Sequence, residues 1–260
     1  MPDIDGRGRQ DLVIGARFCG PPDSGNGGYV CGSVAGYLGA YLAGPVTVTL
    51  RRPVPLATPL AVEPDDDGSL RVRHDRMLIA EAAPAPGYQA PAVPALISMA
   101  EAETVAGGAR YFADALFPGC FGCGMSRPPG DGLRIFPGPV PSLDVWAAPW
   151  TPDPSVGDAA DRVRPEMVWA ALDCPSGIAV AEAGDLGEDT AILLGQMTAG
   201  PVAPPAVGDP CRVIAWPVGR DGRKLTAGSA LLGPDDEVLA VASTVWLTVP
   251  RPAPAAGGAS

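Results

Sequence analysis

Two segments of the chain are apolar and small at nearly every position, and each is followed by stretches in which apolar and polar residues alternate. The first, Gly28 to Leu42, is interrupted only by Gly32, Gly36, Gly39, Ala40 and a few polar residues. A helix that is apolar all round is buried, so this segment predicts a central helix that other elements approach closely. From Gly44 the period falls to two, in Val46-Val48-Leu50, Leu60-Val62, Leu70-Val72 and Met77-Ile79. Short alternating runs punctuated by Pro and Asp-Gly predict an antiparallel sheet, and the glycine-rich helix is the available cover for it. The second segment predicts a helix over 166–182, with Pro165 in the first-turn position where its missing donor costs nothing. Strands are expected after it near 190–199, 211–218, 224–232 and 237–249. Opening strands are expected within 11–20 for the first segment, and at 132–136 and 145–148 for the second; 96–106 predicts a short helix.

The two halves align residue by residue in places. Leu56-Ala57-Thr58-Pro59-Leu60-Ala61-Val62 runs parallel to Val207-Gly208-Asp209-Pro210-Cys211-Arg212-Val213, and hairpin turns fall at Asp67-Gly68 and Asp221-Gly222. A repeat longer than a solenoid unit points to two fused domains. The expected division is 11–85, a proline-bearing crossover at 86–119, and 120–249, with disordered ends at 1–10 and 250–260.

Composition narrows the function classes. Gly 34 and Pro 32 are abundant, but 47% hydrophobic residues and 18% charged residues supply a core rather than a disordered chain. A net charge of −11 opposes binding to a nucleic-acid backbone. There is no apolar run of membrane-spanning length, so a cytoplasmic protein without a membrane partner is expected. Six cysteines spread over 260 residues do not form a disulfide framework of the secreted type. Cys120-Phe121-Gly122-Cys123 is the one close pair, and His74 the one histidine. Half of a zinc site is weaker than the plain reading, a turn with two reduced cysteines, although Cys174 and Cys211 are available to complete four thiolates. No metal is expected.

A buried helix wrapped by an antiparallel sheet, entered through Asn26-Gly27-Gly28-Tyr29, resembles the hotdog fold. Two copies in one chain look like the double-hotdog acyl-CoA thioesterases, and Cys120-Phe121-Gly122-Cys123-Gly124 followed by Gly130-Asp131-Gly132-Leu133 is similar to the opening of phenylacetate-type thioesterase domains. Leu172-Asp173 resembles the carboxylate position of that group. The resemblance implies an α+β double hotdog with two long central helices. It further implies an acyl-CoA or acyl-carrier thioester as substrate, CoA only as part of that substrate, no other cofactor, and a homodimer. Family geometry places one half's helix start beside the other half's mid-helix carboxylate. One site then combines Asn26-Gly27-Gly28 with Asp173, and the other sets Arg164-Pro165-Glu166 against Val34 or Ala35, which cannot act as a base.

Thioester hydrolysis requires an activated water and a place for charge on the carbonyl oxygen. Asp173 is the candidate base or nucleophile, in apolar surroundings that raise a carboxyl pKa by desolvation. The amides of Gly27, Gly28 and Tyr29 are candidate oxyanion donors, because the first N–H groups of a helix lack intrahelical partners. The competing role for Asp173 is to cap backbone opened by Pro175, and for Asn26 a plain N-cap accepting from Tyr29. Gln196 and Thr198, two apart on a predicted strand, share a face; related double-hotdog enzymes use a glutamine and a threonine to hold water. Arg71, Arg73 and Arg76, flanking His74, read either as a solvated hairpin or as a phosphate site for the CoA nucleotide. Ser176 lacks a histidine partner and Cys174 an evident activator, which disfavours covalent catalysis by either. The alternatives to an enzyme are a non-catalytic acyl-thioester binding protein or a purely structural partner.

Overall fold

The computed structural model describes residues 10–39, 44–187 and 189–251; the predicted disorder of the two ends falls mostly outside them. Strand β1 (Gln10–Val13) leads through a 3-10 turn (Ala16–Phe18) to helix α1 (Gly27–Gly36) and then to β2 (Val46–Leu50), β3 (Pro59–Pro64), β4 (Leu70–His74) and β5 (Met77–Pro84). After the short helix α2 (Met99–Val105) and the two-residue β6 (Gly138–Pro139), the order repeats. It runs β7 (Trp146–Trp150), α3 (Pro165–Ala183), β8 (Thr190–Ala199), β9 (Cys211–Asp221), β10 (Lys224–Leu232) and β11 (Val238–Pro250).

The eleven strands of the described residues lie in one sheet, ordered β1-β3-β4-β5-β2-β8-β11-β10-β9-β7-β6. Read outward from the β2/β8 seam, the two sides match: β2 with β8, β5 with β11, β4 with β10, β3 with β9 and β1 with β7. The seam is an antiparallel pairing in which Val46, Thr47, Val48 and Thr49 face Ala199, Thr198, Met197 and Gln196. The aligned heptapeptides keep their correspondence in the backbone, since Ala57 and Gly208 both take positive φ, 50° and 86°. The sheet ends in short strands, four residues in β1 and two in β6, which limits edge-to-edge pairing.

Both helices pack on one face of the sheet and on each other. α3 is buried from Met167 to Val180, and α1 over most of its length. A single core cluster joins Val30 and Val34 of α1, Leu172 of α3, Val48 and Leu60 of the first half, and Met197 and Ala242 of the second. Glycines permit the helix–helix approach. A Cβ on Gly28 would stand 2.5 Å from the Asp173 Cβ and from the Trp169 carbonyl oxygen, and one on Gly32 would stand 2.7 Å from the Glu166 Cα. Pro175 lies inside α3, and the next residue, Ser176, donates its Oγ to the Asp173 carbonyl at 2.7 Å.

Two expectations are corrected. α1 is not long: it spans ten residues and passes through Tyr37 and Leu38 into Gly39 at φ +62°, a left-handed residue that ends helices; positions 40–43 of the expected 28–42 helix lie outside the described residues. Residues 132–136 form no strand. The Leu133 and Ile135 amides instead donate to the Phe121 and Gly122 carbonyls at 2.8 and 3.0 Å, so this segment clips onto the Cys120–Cys123 turn. Trp146, Trp150 and Trp169 are buried, with Trp146 Nε1 donating to Glu182 at 2.9 Å. No helix among the described residues is long and apolar enough to cross a membrane.

Candidate functional site

The start of α1 meets the middle of α3 at a buried carboxylate. Asn26 is the N-cap of α1, its Oδ1 accepting from the Tyr29 amide at 2.9 Å. The Asn26 Nδ2 donates to Asp173 Oδ2 at 2.9 Å, and the Gly28 amide donates to the same oxygen at 2.9 Å. One carboxylate oxygen is thus gripped by a helix-start amide and a side-chain amide. The other, Oδ1, is buried and has no hydrogen-bond partner among the described residues.

Asp173 is 2% exposed. Burial pushes its pKa up to about 7, with the Gly28 and Asn26 donors working in the opposite direction. Desolvation penalises the ionised form more than two donors compensate. The local competing role is not what the side chain does: it faces α1 across the helix pair, and Ser176 serves the backbone near Pro175.

Around Asn26 and the start of α1 lies a shell that the chain assembles from distant segments. Phe18 stacks on Tyr29, with centroids 3.9 Å apart, and Phe121 meets both edge-on. The Cys120–Cys123 turn lies against Asn26 and α3; a Cβ on Gly122 would stand 2.7 Å from Cys174 Sγ and 3.6 Å from Asn26 Nδ2. The sulfurs of Cys120 and Cys174 are 3.5 Å apart, and Asn26 Nδ2 lies 3.8 and 3.7 Å from them. Cys120 and Cys123 stand out in sequence as a pair, but Cys174 joins them from α3, about fifty positions on, and no spacing signals it. Cys211 stays in β9, paired across the sheet with Trp150.

Other predicted site residues are placed elsewhere. Met197 points into the core, so its neighbours Gln196 and Thr198 face the opposite side of the sheet. There they bond across the seam, Gln196 Nε2 to Thr49 Oγ1 at 2.9 Å and Thr198 Oγ1 with Thr47 Oγ1 at 2.8 Å. Both are therefore separated from Asp173 by the sheet. Arg71 is paired with Asp65 and Arg73 with Glu63, and Arg76 follows at the β4–β5 turn, where its carbonyl accepts from Arg73. These arginines serve their own hairpin rather than the Asp173 cluster. At the other end of the helix pair, Gly32 abuts Glu166 and Trp169, and Val34 and Ala35 are fully buried. Arg164 there makes a loose ion pair with Glu166 at 3.7 Å. Two surface depressions, one bounded by Asp189, Arg223 and Thr248 and one by Gly130, Arg134 and Trp150, do not include Asp173 in their walls.

Asn26→Ala is expected to destabilise the protein by about 1–2 kcal/mol, within the range for loss of a helix N-cap, and to leave Asp173 with one donor. Denaturant melts of the two proteins check it. A change within a few tenths of a kcal/mol would show that the cap is not coupled to the fold.

No protein-family model and no curated protein matches the sequence. Solved structures do match the fold. The tesB protein MAP1729c of Mycobacterium avium subspecies paratuberculosis aligns over 96% of both chains at TM-score 0.60 and 15% identity. A protein provisionally named a thioesterase, from Novosphingobium aromaticivorans, aligns over 92% of this chain and 94% of its own at 0.57 and 13%. A protein from Alicyclobacillus acidocaldarius, described as having the hot dog fold, aligns over 96% of both chains at 0.52 and 12%. The chain has the hotdog fold.

Proposed function

We propose that this protein is an acyl-thioester hydrolase built from two fused hotdog halves, with one working site per chain at Asp173. The reading rests on one observation: a buried carboxylate in the helix of one half, held by the helix start of the other through the Gly28 amide and Asn26. Support for two halves comes from strand orders that mirror each other about the β2/β8 seam. The name of the Novosphingobium neighbour, whose chain is covered almost end to end, agrees with the chemistry.

In this mechanism Asp173 Oδ1, which has no partner among the described residues, accepts a proton from water as the water oxygen attacks the thioester carbonyl. The carbon–sulfur bond then breaks, and the thiolate leaves and takes up a proton, giving free acid and free thiol. Gly28 and Asn26 position the carboxylate rather than the substrate. Because the amides of Gly28 and Tyr29 are taken by Asp173 and Asn26, the Gly27 amide is the first-turn donor assigned to the carbonyl oxygen. Asp173 is 2% exposed, so substrate reaches it only after a neighbouring segment moves.

The closed surroundings of Asp173 also favour a second reading, acyl-thioester binding without turnover. Incubating the purified protein with short, long and aromatic acyl-CoAs and following free thiol separates the two. Release of thiol with at least one acyl class is expected. Saturable binding with no release from any of them would establish the binding protein.

A further inference from the structure

Cys120, Cys123 and Cys174 form a group that the proposed hydrolysis does not use. Their three sulfurs all lie within 4.8 Å of one another and are buried, with Cys120 and Cys174 at 3.5 Å. A tetrahedral zinc ion with Zn–S bonds of about 2.3 Å requires sulfur–sulfur separations of about 3.8 Å, inside the interval these sulfurs span. A disulfide requires about 2.05 Å, well short of the observed separation.

The turn that carries two of the sulfurs has the shape of a ligand. Cys120 and Cys123 are spaced Cys-x-x-Cys, and the chain closes behind them through the Gly124 amide donating to the Cys120 carbonyl at 2.8 Å. Asn26 Nδ2 approaches the Cys120 and Cys174 sulfurs at 3.8 and 3.7 Å. An N–H donor directed at a sulfur favours its thiolate form, which a bound cation stabilises further. Gly122 lacks a Cβ where one would stand 2.7 Å from Cys174 Sγ, and that keeps the third sulfur beside the turn. Thiolate donors select soft cations such as zinc over magnesium or calcium.

We propose that Cys120, Cys123 and Cys174 bind one zinc-class cation, tying the Cys120–Cys123 turn to α3, with the fourth coordination position left to an exogenous donor. Binding releases the thiol protons to solvent and involves no change of oxidation state. The proposal stands apart from the hydrolase reading, since metal content is measured without turnover.

The test uses the full chain purified under reducing conditions, first analysed for metals and then loaded with Zn2+ or Co2+ and freed of excess ion. One equivalent of zinc per chain is expected, together with a thiolate-to-cobalt charge-transfer band in the Co2+ form. Cys123→Ser and Cys174→Ser are each expected to lose the ion, and Cys211→Ser, altered at a buried cysteine outside the group, to keep it. Circular dichroism checks the fold of each variant, and where a variant does not fold, wild-type stoichiometry and the cobalt spectrum decide alone. All six cysteines as free thiols with no metal after loading would overturn the proposal. So would a Cys120–Cys174 disulfide in the isolated protein, cobalt bound without the charge-transfer band, or zinc retained by a folded Cys123→Ser.

Discussion

Asp173→Asn is expected to lower acyl-CoA hydrolysis by about 10²- to 10⁴-fold, the range that a positioned general base supplies, while leaving the fold in place. Asparagine is the informative replacement because it keeps an oxygen where the Gly28 amide and Asn26 Nδ2 donate, at 2.9 Å each in the native arrangement. Alanine would strip both buried donors of their acceptor, at about 1–3 kcal/mol for each unsatisfied group, and so mix a folding defect with a catalytic one. Asparagine removes the proton-accepting charge and puts an NH2 where Oδ1 stood. Burial already makes the charge expensive in the native state, which offsets the cost of an unpaired NH2 in place of Oδ1, so the variant should melt near the wild-type temperature. Rates measured by free-thiol release, beside thermal melts of both proteins, check the prediction. An Asp173→Asn protein that hydrolyses acyl-CoA at the wild-type rate would remove Asp173 from the mechanism.

The positions of the elements were legible because hydrophobic periodicity carries them. Strands expected near 190–199, 211–218, 224–232 and 237–249 are found at Thr190–Ala199, Cys211–Asp221, Lys224–Leu232 and Val238–Pro250, where alternation and β-branched residues act together. The expected strand at 132–136 fails for a physical reason. Its apolar residues are spent on the Cys120–Cys123 turn, with Leu133 and Ile135 bonding to Phe121 and Gly122, a tertiary partner that local pattern does not contain. The same limit governs the site. Asn26 and Asp173 are each visible in sequence as a cap and a buried carboxylate, and only the family resemblance brings them into one site; the bond between them depends on how two helices cross. Gln196 and Thr198 share a strand face as their spacing requires, yet which face it is depends on the bulge where β8 slips against Val245 and Trp246. A one-residue slip reverses every side chain beyond it.

Gly28→Ala is expected to be among the most damaging single changes in the protein, although it adds only one methyl group. The new Cβ would lie 2.5 Å from the Asp173 Cβ, 2.5 Å from the Trp169 carbonyl oxygen and 3.0 Å from the Ala170 Cα. Two of those atoms are helix backbone, which cannot rotate aside as a long side chain can, so relief requires α1 and α3 to separate. Separation strains the core shared by Val30, Val34 and Leu172 and stretches the Gly28–Asp173 bond. Overpacking of a core typically costs about 1–3 kcal/mol; contact with backbone on the partner helix puts this case at about 3 kcal/mol or more. That corresponds to a fall of about 6–12 °C in melting temperature for a chain of this size. Gly187→Ala is the matched control, because its Cβ would meet nothing within 4 Å and its backbone does not lie in the left-handed region. Alanine usually gains slightly over glycine there by restricting the unfolded chain. Thermal melts of both variants decide the point: a Gly28→Ala protein as stable as Gly187→Ala would mean that the helices do not meet as closely as their glycines allow, and the contact that places Asp173 against the start of α1 would go with it.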